Sequence, residues 1–287
     1  MRPATPADAE AVLDVILARD VADIGYPDFT LEDVRADWSA PGVQLERDSR
    51  VDEAVRGYAL VKPDNFLDVY VHPEAEGRGL GTALREWGEA RAAERGAGRV
   101  MQFVAGANHR ARELLRATGY ADAQHYFRLR VELDLVPAGA PAAARPFEPR
   151  DVEAVHRVVQ EAFDEIDGNV PETLAAWRAA RLDLPGFDPK LWLVLDDEQG
   201  IAGVALGRRW EGGVGYVDQL AVAPRARALG HGRGLLLALL RAFRAAGLTA
   251  AELSVHGTNR GAARLYESVG MRQVWVAERW DKALAGA

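Results

Sequence analysis

Between Leu220 and Gly234 the chain reads Leu-Ala-Val-Ala-Pro-Arg-Ala-Arg-Ala-Leu-Gly-His-Gly-Arg-Gly, followed by an apolar run. A strand that ends in a glycine-rich turn and opens a helix leaves several backbone N–H groups aimed at one spot. Such a spot binds phosphate oxygens. Gly230 and Gly232 admit a ligand close to backbone that a Cβ would shield. A P-loop requires Gly-Lys-Ser/Thr at the helix start, whereas Gly232 is followed by Arg233 and Gly234. A dinucleotide fingerprint requires a third glycine where Leu235 stands. The pattern left standing is Arg-x-x-Gly-x-Gly after a Val-x-Val-like strand. Just upstream, Gly215-Tyr-Val-Asp-Gln-Leu220 puts Tyr216 and Asp218 on the strand face that carries Leu220 and Val222. Downstream, Asn259 precedes an apolar helical stripe of Ala262, Leu265, Tyr266 and Val269, as an N-cap does. The chain has no cysteine, which removes disulfides, thiol catalysis and cysteine-ligated zinc. Its six histidines show no tight ligand spacing, so no metal site is expected.

Domains must position these groups, and 287 residues fit two domains of about 140 residues each. A net charge of −8 and a pI near 5.4 lack the basic footprint of a nucleic-acid binder and suit a cationic small partner better. The longest apolar run, around Gly234 to Leu240, is too short to span a bilayer. The N-terminus has no basic-then-apolar leader pattern. The expectation is a cytoplasmic protein, monomer or homodimer, with no membrane or nucleic-acid partner.

An internal repeat organises the chain. Pro73, Gly79, Gly81, Asn108 and Gly119 recur as Pro224, Gly230, Gly232, Asn259 and Gly270 at one offset of 151 residues. Arg2-Pro3 and Asp8 recur as Arg145-Pro146 and Asp151. Between the copies, Val136 to Ala144 is an uncharged Pro/Ala/Gly stretch that reads as a linker. The expected division is 1–138, linker 139–145, and 146–287. Each copy predicts a short strand (Met1–Ala4; Ala144–Phe147), a helix opened by Asp8 or Asp151, and a second helical segment (Leu31–Trp38; Pro171–Arg181). Strands follow at Ala54–Val61 and Phe66–Val71, and at Leu191–Leu195, Ile201–Arg208 and Gly215–Val222. Then come the glycine loop and long helix, a strand (Arg99–Val104; Ala250–Val255), an asparagine-capped helix, and terminal strands. Strands alternating with helices predict an α/β (α+β) class with a central mixed sheet in each copy.

The loop, the asparagine-capped helix and the ending Leu265-Tyr-Glu-Ser-Val-Gly-Met271, in this order and spacing, resemble the GNAT superfamily of acyl-CoA N-acyltransferases. The resemblance covers nearly the whole chain twice. It implies two GNAT-type domains, acetyl-CoA as acyl donor and direct attack of an amine on the thioester. The tandem arrangement resembles that of the mycothiol synthase family, in which the C-terminal domain carries the activity. By the same resemblance Leu220, Ala221 and Val222 would pair with pantetheine. Arg227, Ala228, Leu229, Gly230, His231, Gly232, Arg233 and Gly234 would wrap the pyrophosphate, and Asn259 would sit near the pantetheine arm. Tyr266 stands where the family often carries the acid that protonates the departing thiolate, although its apolar stripe also fits a core residue. Asp218 resembles the acceptor-facing aspartate of some aminoglycoside N-acetyltransferases. It would take the amine proton directly or through water, hold the ammonium, or close a strand-end hydrogen bond.

In the first copy a second cofactor site would comprise Val69, Val71, Gly77, Arg78, Gly79, Gly81 and Thr82. There Glu76 replaces Arg227, and Leu67 and Leu115 replace Asp218 and Tyr266, so this copy is expected not to catalyse. The acceptor side of the second copy is acidic (Glu161, Asp164, Glu165, Asp167), as is that of the first (Asp20, Asp23, Asp28, Glu32, Asp33). Either a rim for a protonated amine or ordinary solvated helix ends would explain this. Trp177, Phe187, Trp192 and Trp210 would line an acceptor cleft or fill the core. A non-catalytic acyl-CoA sensor is the alternative to an N-acetyltransferase of a small cationic amine.

Overall fold

The computed structural model describes residues 1–164, 171–183 and 186–284. By contacts the chain forms two units, one of Met1–Phe127 with Trp275–Ala287 and the other of Arg128–Val274. This partition differs from a cut at the linker, because each unit includes a piece from beyond it.

The first unit contains helices α1 (Ala9–Ile24), α2 (Leu31–Ser39) and α3 (Leu45–Asp48), then strands β1 (Ser49–Val51), β2 (Gly57–Val61) and β3 (Leu67–Val71). Helix α4 (Leu80–Glu94), strand β4 (Arg99–Ala105), helix α5 (His109–Ala117) and the start of strand β5 (Ala121–Glu132) follow. Alternation along β2 splits the core. Tyr58 and Leu60 join Val12, Ile16, Val34 and Trp38 of α1 and α2, while Ala59 and Val61 join Leu84 and Ala92 of α4 with Leu115. Thr30 and Asp33 start α2 with a reciprocal capping box. The strand expected from Ala54 begins only at Gly57. Asp52 Oδ1 accepts the amides of Arg56 and Gly57 at 2.6 and 2.7 Å and bends the chain first. The strand expected at Met1–Ala4 reduces to one bridge, Arg2 to Val51; α3 and β1 are additional.

The second unit runs from the end of β5 through β6 (Arg145–Pro146), α6 (Val152–Phe163), α7 (Leu174–Ala179), β7 (Trp192–Asp197), β8 (Gly200–Trp210) and β9 (Val214–Val222). It continues with α8 (His231–Ala245), β10 (Ala250–His256) and α9 (Arg260–Glu267), and β11 (Arg272–Ala283) leaves it. Its sheet has the order β5-β10-β9-β8-β7-β6, with β9–β10 parallel and β8–β9, β7–β8 and β6–β7 antiparallel. In the first unit β11 lies antiparallel to β4, from Ala277 opposite Ala105 to Ala283 opposite Arg99. Helices flank the strands of both units; the second unit's sheet is mixed, as expected, whereas β1, β2 and β3 form an antiparallel sheet that meets β4 through one parallel bridge, Phe66 to Met101.

The linker residues are laid on α8. Ala142 N donates to Gly234 O at 3.0 Å, and Arg241 Nη2 donates to Gly139 O at 2.7 Å. Helix α8 in turn sits close on its sheet because β8 and β9 carry glycines beneath it. A Cβ at Gly215 would stand 2.5 Å from the Phe243 ring. Among the described residues no helix is long and apolar enough to cross a membrane. Gly215→Ala is therefore expected to destabilise the protein by about 1–3 kcal/mol through overpacking. Thermal denaturation checks this, and adding Phe243→Leu should recover part of the loss.

Candidate active site

Strands β9 and β10 are in parallel register only over Val214–Tyr216 against Ala250–Glu252. Beyond Tyr216, β9 continues with its β8 partners alone: Leu220, Ala221 and Val222 face Ala205, Val204 and Gly203. Its other edge is therefore open to an extended ligand, which can add as a strand does. The turn after β9 places Ala228 and Gly230 at φ of +64° and +79°, and Gly230 caps α8. Alanine in this left-handed region costs about 1 kcal/mol or more, a strain the first copy avoids with Gly77. Leu229 is exposed at the tip, and His231, Gly232 and Arg233 form the first turn of α8. A Cβ on Gly232 would lie 3.5 Å from Leu265 and 3.8 Å from Val222, between the strand end and α9. Arg227 folds back toward the carbonyls of Val222 and Ala162, both 3.4 Å away. Arg233 faces Ser268 O at 3.5 Å. Gly234 lies against the linker, where a Cβ would stand 2.9 Å from Ala142 N. Asn259 caps α9, its Oδ1 accepting Ala262 N at 3.0 Å.

Helix α9 carries Tyr266, half-buried and without a hydrogen bond to its hydroxyl among the described residues. Burial, reinforced by the neighbouring Tyr216, pushes its phenol up to about 12. The Tyr216 ring lies 5.2 Å from that of Trp210, with the guanidiniums of Arg208 and Arg128 5.0 and 5.1 Å from its centre. Asp218 is engaged: Arg181 Nε donates to Oδ2 at 3.0 Å, and Arg208 Nε stands 3.8 Å from Oδ1. With those two arginines it stands at the wall of a 310 Å³ cleft, lined also by Arg209, Asp188, Phe187 and Trp192. Trp177 is fully buried and donates to Gln219 Oε1 at 3.0 Å, which makes it core. Of the acidic segment, Glu161 is exposed on α6, whereas Glu165 and Asp167 lie outside the described residues.

Glu252 escaped sequence reasoning. It is 4% exposed, sits opposite Tyr216 in the register, and takes Arg130 Nη1 at 2.8 Å. A lone carboxylate in the apolar run Ala250-Ala-Glu-Leu253 was the available signal. Asp122, His125 and Glu278 bring three potential metal-ligand atoms within 4.8 Å of one another. Glu278, however, already accepts Arg112 Nε at 2.8 Å and Trp280 Nε1 at 3.2 Å.

The first unit repeats the parting of strands. Among the described residues one bridge, from Phe66 just before β3 to Met101 of β4, joins these strands, and a cleft of 460 Å³ opens beyond it. Six of the seven residues expected for a second cofactor site line this cleft; Arg78 does not. Glu76 does not face it as a bare charge, because Arg19 and Arg110 both bind its carboxylate. The acidic segment here is absorbed structurally. Asp33 caps α2, Asp23 binds Arg19 at 2.7 Å and Asn108 Nδ2 at 3.0 Å, and Asp20 accepts Asp28 N at 3.0 Å.

The Acetyltransferase (GNAT) family model matches residues 18–120 and 152–271. Over 295 residues the chain is 31% identical to a protein named mycothiol acetyltransferase from Thermobispora bispora, covering 96% of this chain and 95% of that one. A GCN5-related N-acetyltransferase from Sphaerobacter thermophilus superposes with a TM-score of 0.83 at 29% identity, over 100% of this chain and 96% of that one. A tandem GNAT protein from the clavulanic acid biosynthesis pathway shares the fold, with a TM-score of 0.74 at 16% identity over 100% and 98% of the two chains.

Burial lifts the Asp20 carboxyl to about 6, the Asp28 amide opposing and the Asp28 and Asp23 charges adding to the rise. The folded state thus holds this proton more tightly than the unfolded chain does. Asp20 therefore weakens folding at neutral pH, and the penalty fades as pH falls from about 6 to below the ordinary value of 3.8. Asp20→Asn is expected to raise the melting temperature at pH 7.5 and to give no gain near pH 3.5, as a pH series of thermal melts would read.

Proposed function

The chain belongs to the GNAT acetyltransferase family and is an N-acetyltransferase, and from that premise we propose that its C-terminal copy moves an acetyl group from acetyl-CoA to a primary amine of a small acceptor. The amine nitrogen attacks the thioester carbonyl, the C–S bond breaks, and the CoA thiolate takes a proton from the Tyr266 hydroxyl. The observation that carries this reading is Tyr266 itself. Its phenol, lifted to about 12, stays protonated at working pH, makes no hydrogen bond among the described residues, and rides on the helix beside Gly232 and the open edge of β9. Asp218, bound by Arg181 and Arg208, orders the acceptor wall; the ammonium proton leaves through water before attack, and the second nitrogen proton, shed as the amide forms, returns through water to the Tyr266 phenolate.

The acceptor presents a protonated amine, and Asp218 and Asp188 are the carboxylates that would meet it. Three arginines line the same cleft, which favours an acceptor carrying hydroxyl or anionic groups beside the amine over a polycation. A mycothiol-type acceptor, suggested by the names of the relatives, has that character. In the N-terminal copy, where Leu67 and Leu115 stand in place of Asp218 and Tyr266, we read a CoA-binding cleft without transfer chemistry; the sensor reading is kept for this copy alone.

Tyr266→Phe is expected to lower kcat by about 10²–10³-fold, with acetyl-CoA affinity unchanged by calorimetry. Unchanged turnover would remove Tyr266 from its role. Binding of acetyl-CoA without turnover on any amine, in the unaltered chain, would leave only the sensor.

A further inference from the structure

The floor of the N-terminal cleft differs in kind from its counterpart. Arg85 of α4, 4% exposed, and Gln102 of β4, 5% exposed, both line the cleft. Arg85 binds Glu89, which also takes Lys282 Nζ at 2.7 Å. Gln102 Nε2 donates to the Tyr120 hydroxyl at 2.8 Å, and burial, with the Glu89 charge, pushes the Tyr120 phenol far up. At the repeat offset Arg85, Glu89, Gln102 and Tyr120 become Leu236, Leu240, Leu253 and Met271, all buried. One copy thus rests on hydrocarbon and the other on a buried polar network.

Hydrocarbon of similar volume is as stable as a buried ionic cluster, or more so, which makes the polar floor a poor stabilising device. Its charges do not balance. Arg85 and Lys282 share the one carboxylate of Glu89, whose side chain is 13% exposed, since Glu86, the other partner of Arg85, has a side chain 64% exposed and is screened. The Nε atoms of Arg85 and of Arg19, another residue of the cleft wall, are buried without a hydrogen-bond partner. A positive surplus beneath an open cavity favours an anion in it. At the other end the cleft is lined by Gly77, Gly79, Gly81 and Thr82 at the start of α4, backbone suited to phosphate.

We propose that the N-terminal cleft selects a CoA thioester whose acyl chain ends in a carboxylate, with Arg85 and Gln102 receiving that carboxylate. The inference rests on the reading of this cleft as a CoA site. The ligand is bound there and not transferred. Arg85→Leu, which installs the residue of the other copy, should abolish the selectivity and leave the C-terminal site as it was.

The test is calorimetric titration of the full chain with succinyl-CoA and with acetyl-CoA, before and after Arg85→Leu. Two sites per chain are expected. One of them should favour succinyl-CoA by about tenfold or more, the worth of a charge-assisted hydrogen bond, and Arg85→Leu should erase that preference. Two sites with equal affinity for both thioesters, or a preference that survives the substitution, would overturn the carboxylate assignment and leave the CoA reading intact. A single site for either thioester would overturn both. If Arg85→Leu does not fold, Arg85→Gln and Gln102→Leu are read in its place, with the same outcomes.

Discussion

Two parallel strands that begin a ladder and then abandon it are the constraint on which both halves of this molecule depend. Backbone N–H and C=O groups at the parting have no strand to satisfy them on one side. A protein can keep such an edge only where water or a ligand completes it. In the second unit the parting falls just after Tyr216, and in the first just after Phe66. Everything around it serves to hold the strands apart. An asparagine-capped helix stands beyond the gap in each unit, with Asn108 or Asn259 at its start. A glycine-initiated helix closes the end, with Gly79 or Gly230 in the left-handed conformation that lets the chain turn directly from strand to helix.

On this shared frame the two copies have diverged in electrostatics more than in shape. The second keeps its polar residues on the face of Tyr216 and Asp218, where arginines from β8 and the α7 end converge. Its floor beneath α8 is hydrocarbon. The first has its Asp218 and Tyr266 positions filled by leucine, and a polar network under the cleft instead. Duplication followed by a swap of which face carries charge yields two clefts with one backbone plan and different linings.

Features carried by consecutive residues were legible in the sequence. The glycine loop, the asparagine caps and the period of the strands each obey local rules, and the helices and most strands fall within a few residues of expectation. What escaped depends on residues distant in the chain. The pairing of Asp218 with Arg181 joins a strand to a turn on another element, and no spacing rule announces it. Glu252 matters only because Tyr216 lies opposite and Arg130 arrives from β5. The closeness of Ala142 to Gly234 likewise joins residues far apart in the chain. The division of contacts was illegible for the same reason: a Pro/Ala/Gly stretch marks where the repeat changes, whereas strand partners are chosen by edges that exist only after folding.

That choice of partners has a consequence for the order of assembly on the ribosome. Strand β4 is paired by β11, which follows α9 of the second copy, so the first half emerges with one sheet edge unfinished. It must wait, edge exposed, until Ala277–Ala283 has been synthesised. Such long-range closure is slow. A chain stalled before β11 therefore leaves the β4 edge bare, however complete the second copy's other helices and strands are.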